Sequence, residues 1–182
     1  MTMPQVSNET TTTESTIHSV VGKIAYAMEN HLSNRDLAQL RRALPAEPYT
    51  PALWKVLLTY VPPSWTGGSK QDEKERLWAH LLQGMAMTAG LHSQGTPLGW
   101  ALAQAGWSEL RFVRLMQARG DGLAKEIRRL ASFLSSKSQT ADWSDIAQLL
   151  FNQEGERAER HRRHIARNYY QALYRQEKDS SN

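Results

Sequence analysis

Apolar residues recur every three to four positions along most of this chain. The clearest row is Leu123, Ile127, Leu130 and Leu134, which fall at positions i, i+4, i+7 and i+11. That spacing places them on one side of a helix, because a helix completes a turn in about 3.6 residues. No segment alternates apolar and polar residues for long, as a half-buried strand would. We therefore predict an all-α fold, a helical bundle with short loops.

Capping residues and prolines indicate where these helices begin. Thr50 precedes Pro51, and this pair favours a helix start because the hydroxyl caps the first turn while proline lacks the N–H that would be left unpaired. Thr96 and Pro97 repeat the arrangement. Other predicted caps are Asn34, Ser108, Asp121, Asp142 or Ser144, and a capping box of Asp72 with Glu75. We expect the last helix over about 156–176.

The polarity of the chain also suggests its organisation. Residues 1–15 are rich in threonine and poor in apolar side chains, so we predict a flexible, disordered tail. An all-α domain is predicted over 16–178. The proline- and glycine-containing loop at 62–69 suggests an N-terminal helical part over 16–62 and a C-terminal bundle over 70–178, although composition does not require two parts.

Positive charge is concentrated on the predicted helices. The 182 residues include 22 Lys and Arg against 18 Asp and Glu, a formal charge of +4. Six basic residues and two acidic ones lie in segment 111–129, and five arginines and one glutamate lie in 157–167. Guanidinium groups offer a planar fork of donors that suits phosphate oxygens. The candidate nucleic-acid-binding residues are Arg41, Arg42, Arg111, Arg114, Arg119, Lys125, Arg128, Arg129, Arg160, Arg163 and Arg167.

A simpler interpretation of these arginines is that they pair with acids of the same chain, for which Glu109 and Glu126 are available. Arg162 falls towards the apolar side of the last helix, so we expect it to pair with a buried acid or to face another chain. The six tryptophans are expected to pack in the core, except Trp65 and Trp100, which are candidates for base stacking.

Several classes of function are not favoured. The absence of cysteine excludes disulfides, thiolate zinc sites and cysteine nucleophiles, and it fits a reducing cytoplasm. No apolar run approaches the roughly 20 residues of a membrane helix, and no signal-peptide pattern is present, so we expect a cytoplasmic protein with no membrane partner. We find no glycine-rich phosphate loop, nucleophile elbow or carboxylate pair. His161 and His164 have a metal-ligand spacing, but their arginine neighbours oppose a cation. We expect no enzyme activity, cofactor or metal.

Six short segments, in order and with compatible spacing, resemble the CasB family, the small subunit of the type I-E CRISPR surveillance complex Cascade. The resemblance spans about 34–174. The segments are 36–43 (family LRRA), 97–102 (LGRAL), 109–116 (ERRFxRLL), 127–130 (LRRLV), 142–143 with 149–150 (DWxxLxxLL), and 163–170 (RRxxARDYY). The resemblance implies an all-α protein without catalytic activity.

The resemblance also implies partners and roles. The expected partners are the large and backbone subunits of Cascade, a second copy of the chain, the crRNA, and the target and non-target DNA strands. The implied role is to stabilise the R-loop and the displaced strand while base pairing reads the sequence. Basic family positions are matched by Arg41, Arg42, Arg111, Arg128 and Arg129, and more loosely by Arg114. Trp100 stands where the family usually has arginine.

One alternative from another class is an RNA-binding protein or ribonuclease of the HEPN type. Arg157 and His164 have the Arg-x6-His spacing of such enzymes, in which histidines transfer protons during RNA cleavage. That motif prefers a polar residue after the arginine, whereas this chain has Ala158. The match is therefore incomplete.

Overall fold

The computed structural model describes residues 15–43 and 47–181, and within these ranges the chain forms ten helices and no strand. The helices are α1 (Ile17–Asn30), α2 (Asn34–Arg42), α3 (Pro51–Tyr60), α4 (Pro63–Thr66), α5 (Gln71–Met87), α6 (Leu98–Gln104), α7 (Glu109–Gln117), α8 (Gly120–Lys137), α9 (Trp143–Phe151) and α10 (Gly155–Ser180). The predicted all-α class is confirmed. Apart from Ser15, the predicted tail lies outside the described residues, and the division at 62–69 stays a prediction.

Side-chain caps fix the starts of four helices, among them α1, whose N-cap is Thr16. The Thr50 hydroxyl accepts a hydrogen bond from the backbone N–H of Leu53 at 3.2 Å, as expected for a cap before Pro51. Asp142 likewise caps α9. The cap of α2 is Ser33 rather than the predicted Asn34, because Ser33 and Asp36 form a reciprocal capping box.

Other helices begin without a side-chain cap, and there the sequence prediction is wrong. α5 starts after Lys70, whose backbone is left-handed (φ 64°), so no capping box forms at Asp72. The Thr96 hydroxyl donates to Ser93 Oγ instead of capping α6. Ser108 precedes α7 without making a capping bond.

Three further features of the helices differ from the prediction. α8 begins at Gly120, so Asp121 lies inside its first turn rather than before it. Within the predicted loop 62–69, residues 63–66 form the short helix α4. α10 extends four residues beyond the expected end, to Ser180.

α6 and α10 pack at backbone distance. A Cβ atom built on Gly99 of α6 would collide with the carbonyl oxygen of Ile165 and lie 2.7 Å from the backbone nitrogen of Tyr169. The Tyr169 hydroxyl donates to the Trp107 carbonyl at 2.5 Å, and its ring stacks on Phe112 at 3.9 Å. These contacts join α6, α7 and α10 into one part of the core.

The other part of the core surrounds α5. Nine residues of this helix are buried, and it contacts α2, α8 and α9 most extensively. The Trp143 ring lies against Gly84, where a Cβ atom would be 2.5 Å from it. Trp78 packs beside Phe151 with ring centroids 4.8 Å apart. In the described ranges, no helix combines the length and apolar character needed to cross a membrane.

We expect Gly99→Ala to destabilise the protein by about 1–3 kcal/mol, because a methyl group forces α6 away from the α10 backbone. Urea unfolding followed by circular dichroism measures this change. Gly22→Ala in α1 is the control, since no heavy atom lies within 4 Å of the added Cβ atom. It should stabilise the helix by about 0.5–1 kcal/mol. Equal stability of the two variants would contradict the close packing.

We also expect a pH effect centred on His92. Its Nδ1 accepts a hydrogen bond from the backbone N–H of Trp143 at 3.2 Å, and burial lowers the pKa of His92 below its ordinary 6.5. As pH falls below 6.5, the unfolded chain therefore binds the proton first. The contribution of neutral His92 to the free energy of unfolding should be fully present above pH 6.5. It should decrease as pH falls from 6.5 through the lowered pKa of the folded state.

The measurement is chemical unfolding at a series of pH values. His92→Gln should show a weaker pH dependence than the parent chain, because it removes this titrating group. His164→Gln, at an exposed position of α10, serves as the control and should keep the parent dependence. Identical curves for His92→Gln and the parent would rule out this role for His92.

Candidate nucleic-acid interface

All eleven basic residues predicted to bind nucleic acid have exposed side chains. They are distributed over α2, α7, α8 and α10, with Arg119 directly before α8. Exposure leaves each of them accessible to a polyanion. The arrangement of the helices decides which of them lie together.

α5 and α8 form a groove of about 630 Å³, which we call the α5–α8 groove. Arg76 and His80 of α5 and Lys125, Arg128 and Arg129 of α8 line it. Each wall repeats the helical spacing i, i+4, i+7 and i+11. The residues with this spacing are Arg76, His80, Gln83 and Met87 on one wall and Asp121, Lys125, Arg128 and Ser132 on the other. Two rows of side chains, one on each helix, therefore line the groove.

The α5–α8 groove is predominantly positive. Four permanent cations line it, and among the described residues that line it Asp121 is the one carboxylate. Burial lowers the pKa of His80, with Asp121 opposing and Arg76 adding to the effect, so the neutral imidazole is favoured at neutral pH. Coulomb attraction in this groove therefore favours an anion.

Arg129 is partly neutralised inside the protein. Its Nη1 lies 2.6 Å from the Oε1 of Glu126, a residue that is 6% exposed. Pairing with Glu126 is the simpler interpretation of these arginines that the sequence allows, and it is present in the structure for Arg129. Glu109, by contrast, accepts a hydrogen bond from the Tyr170 hydroxyl at 2.9 Å. Lys125 and Arg128 consequently carry the less compensated charges on the α8 wall.

The end of α2 is tied to this groove by a buried glutamine. The Gln83 amide donates to the carbonyl oxygens of Ala43, at 2.6 Å, and Arg41, at 3.3 Å. The Nε of Arg41 donates to the Ala86 carbonyl at 2.7 Å. Arg41 is thereby held close to the α5 wall. Arg42 faces another, shallower groove.

Other predicted residues lie on different elements. Arg111 sits over the Trp107 ring at 5.5 Å, and Arg114 is exposed in the last turn of α7. Arg119 forms an ion pair with Glu159 at 3.3 Å. Arg160, Arg163 and Arg167 lie on α10, which packs chiefly on α6 and α9. The role of these eleven residues in binding nucleic acid stays a prediction.

Arg76, His80 and Gln83 are not among the residues predicted from the sequence. Their helical spacing is present in the sequence, but the apolar residues of α5 indicate only its core side. Their relevance follows only from the packing of α5 against α8 and α2. A polar row on a mostly buried helix is the signal that was available.

Arg162 and the tryptophans give a mixed result. Arg162 is buried, and its Nη1 donates to the Gln153 carbonyl at 3.2 Å, while its expected pairing with a buried acid is absent among the described residues.

Trp78, Trp107 and Trp143 are buried as predicted. Trp54 was also expected in the core but is 39% exposed. Trp100 is exposed to the same extent, and Trp65 is half-buried.

Comparison with known proteins assigns the chain to a protein family. The sequence model of the CRISPR-associated protein Cse2 matches residues 36–170. The chain belongs to the Cse2 family. The match begins inside α2, so α1 precedes the matched region. The CasB resemblance is confirmed, because the fold is also that of a solved CasB.

Two solved structures are similar to this member of the Cse2 family. A chain of E. coli Cascade bound to a PAM-containing dsDNA target with a 32-nt spacer has a TM-score of 0.64 and 20% identity, covering 85% of this chain and 96% of that one. CasB from Thermobifida fusca has a TM-score of 0.61 and 20% identity, covering 84% and 94%. At this identity the likeness shows the fold alone. Comparison with the curated proteins gives no match.

The ribonuclease alternative has no support in this Cse2-family protein. His164 contacts the Asn168 amide at 3.1 Å, whereas Arg157 lines a separate groove beside Trp65. His161 bonds to the Asp145 carbonyl at 2.9 Å. Within the described part of the chain, no three histidine or acidic residues group closely enough to hold a metal ion.

We expect Gln83→Leu to lower the free energy of unfolding by about 1–3 kcal/mol, because it leaves the buried Ala43 carbonyl without its amide partner. Urea unfolding measures this loss. Gln117→Leu, at an exposed position in α7, is the matched control and should change stability by less than about 0.5 kcal/mol. A Gln83→Leu variant as stable as this control would show that the α2–α5 joint does not depend on the amide.

Proposed function

We propose that this Cse2-family protein is a non-catalytic small subunit of a type I-E Cascade complex. In this proposal it binds nucleic acid through the α5–α8 groove and stabilises the crRNA–DNA R-loop and the displaced non-target strand during antiviral defence. The observation that carries the proposal is that Arg76 of α5 and three cations of α8 line the same groove. The similar chain in E. coli Cascade belongs to a complex with a DNA target, which supports it.

The chemistry of the groove fits a sugar–phosphate backbone. Its cations project from helices, so little backbone conformational entropy is lost when they bind phosphates. Contacts to phosphates carry no sequence information directly, so binding is expected to be independent of sequence. Such a surface suits a complex in which base pairing selects the target and protein holds the strands.

The partners in this proposal are the large and backbone subunits of Cascade, a second copy of the chain, the crRNA and both DNA strands. The α5–α8 groove has the chemistry to hold the displaced single strand. The exposed arginines of α7 and α10 are left for other strands or subunits. No step of bond cleavage is assigned to this chain.

The test removes the two least compensated charges of α8. We expect Lys125→Ala with Arg128→Ala to weaken binding of labelled single-stranded DNA to a similar degree for unrelated sequences. The dependence of log affinity on log salt should become shallower by about 0.7 for each lost phosphate contact. Fluorescence anisotropy at several salt concentrations measures both quantities, and the lifetime of the R-loop in the assembled complex should shorten.

The control has the same loss of charge elsewhere. Lys23→Ala with Lys178→Ala removes two exposed lysines of α1 and α10 that do not line the groove. Its salt dependence and R-loop lifetime should stay near those of the parent chain. If both double variants behave alike, only net charge matters and the groove assignment is wrong.

A further inference from the structure

A second groove, of about 980 Å³, opens on the other end of α5. The start of α1, the helix α4, the first turns of α5 and α10, and the end of α9 surround it. We call it the tryptophan groove, after Trp65, which lines it together with Leu77 and Phe151. It opens on a different side of α5, because Lys74, Leu77 and Trp78 lie roughly 100–160° around the helix from Arg76.

Aromatic side chains of the core support the apolar lining of the tryptophan groove. The Trp65 ring stacks on Trp78 with centroids 6.4 Å apart and an angle of 18° between the planes. Trp78 is 1% exposed and also contacts Phe151. Trp65 itself is half-buried, so a fixed aromatic ring borders the open groove. A fixed ring is suited to stacking because it loses little freedom when a ligand binds.

The rim of the same groove is cationic. Lys70, Lys74 and Arg157 line it, against the carboxylate of Glu73. Lys74 donates to the Gly67 carbonyl at 2.8 Å, which positions its ammonium group. Arg157 is exposed and forms no ion pair with any residue that the structure describes. Among the described residues that line this groove, Glu73 is the only acid. It lies 3.5 Å from Lys70 in an exposed pair, and such pairs are weak.

We propose that the tryptophan groove binds an unpaired nucleotide of a single-stranded nucleic acid. The base stacks on Trp65, and the phosphate lies beside Arg157 and the two lysines. Base stacking on an aromatic side chain next to cations is the general chemistry of single-strand binding. The inference does not rest on the α5–α8 groove, because the two grooves share no lining residue.

A nucleotide fits this groove better than residues 1–14 of the chain do. That segment joins Ser15 at the edge of the groove and carries Glu9 and Glu14, so its charge is suitable. It contains no aromatic residue, however, and offers nothing flat to stack on Trp65. A nucleotide uses both the aromatic lining and the cationic rim.

The first measurement locates the base directly. The full chain is mixed with a short oligonucleotide that contains 5-iodouracil and is irradiated, and the cross-linked peptide is identified by mass spectrometry. We expect a cross-link to Trp65 that disappears when the oligonucleotide is annealed to its complement. A cross-link formed equally well by the duplex would overturn the requirement for an unpaired base.

The second measurement compares variants in the affinity for the same oligonucleotide. Trp65→Leu keeps an apolar side chain against Trp78 but removes the stacking ring, and affinity should fall roughly tenfold. Trp65→Phe should restore most of the binding. Arg157→Ala should weaken binding several-fold, whereas Arg175→Ala, on the same helix but outside the groove, should not. Thermal unfolding followed by circular dichroism verifies that each variant is folded.

The outcomes separate this inference from the proposed function. Loss of the Trp65 cross-link in Lys125→Ala with Arg128→Ala would mean that the strand reaches Trp65 only through the other groove, and would overturn a separate site. A cross-link that appears only after residues 1–14 are deleted would mean that this segment, rather than a nucleotide, occupies the groove in the full chain. Saturation of the groove by free mononucleotide at equal affinity would overturn strand binding. No change with Trp65→Leu would overturn stacking.

Discussion

The burial of α5 is the constraint on which the rest of the structure depends. This helix has buried residues on most of its circumference, and α2, α8 and α9 pack around it. A helix enclosed in this way has few positions left for polar residues. From Glu73 to the end of α5, every position that is not buried borders one of the two grooves. The location of both grooves thus follows from the packing of a single helix.

Buried polar groups on α5 make this packing specific. Gln83 satisfies two carbonyl groups at the end of α2, and Glu75 accepts a hydrogen bond from Gln71 at 2.7 Å within the same helix. An unsatisfied buried carbonyl destabilises a fold by more than a satisfied one stabilises it. The register between α2 and α5 is therefore fixed by an amide in addition to apolar contact. Arg41 takes its position from that register.

Much of the fold could be predicted from the sequence, because helical periodicity and proline positions act locally. The leucine row of α8 is buried as expected, and Thr50 and Asp142 are caps. The failures have physical reasons. Lys70 enters its helix through a left-handed backbone conformation, which no cap pattern indicates. Trp54 stacks on Tyr49 at 5.9 Å on the surface, where an aromatic pair is stable without the core.

The candidate site could be predicted only in part, since charge on a helix does not specify what faces it. Lys125 and Arg128 were identified, but Arg76 across the groove was not. Arg129 was identified too, and the structure shows its pairing with Glu126. Residues far apart in the chain meet through tertiary packing, which a single sequence does not display.

The close approach of α6 and α10 at Gly99 has a mechanical consequence. Because backbone touches backbone there, and Tyr169 is bonded to Trp107, neither helix can slide past the other without breaking the interlock. A load applied to the exposed arginines of α10 is transmitted to α6 and to the segment that leads into α7. The two helices are therefore expected to move together as one rigid unit.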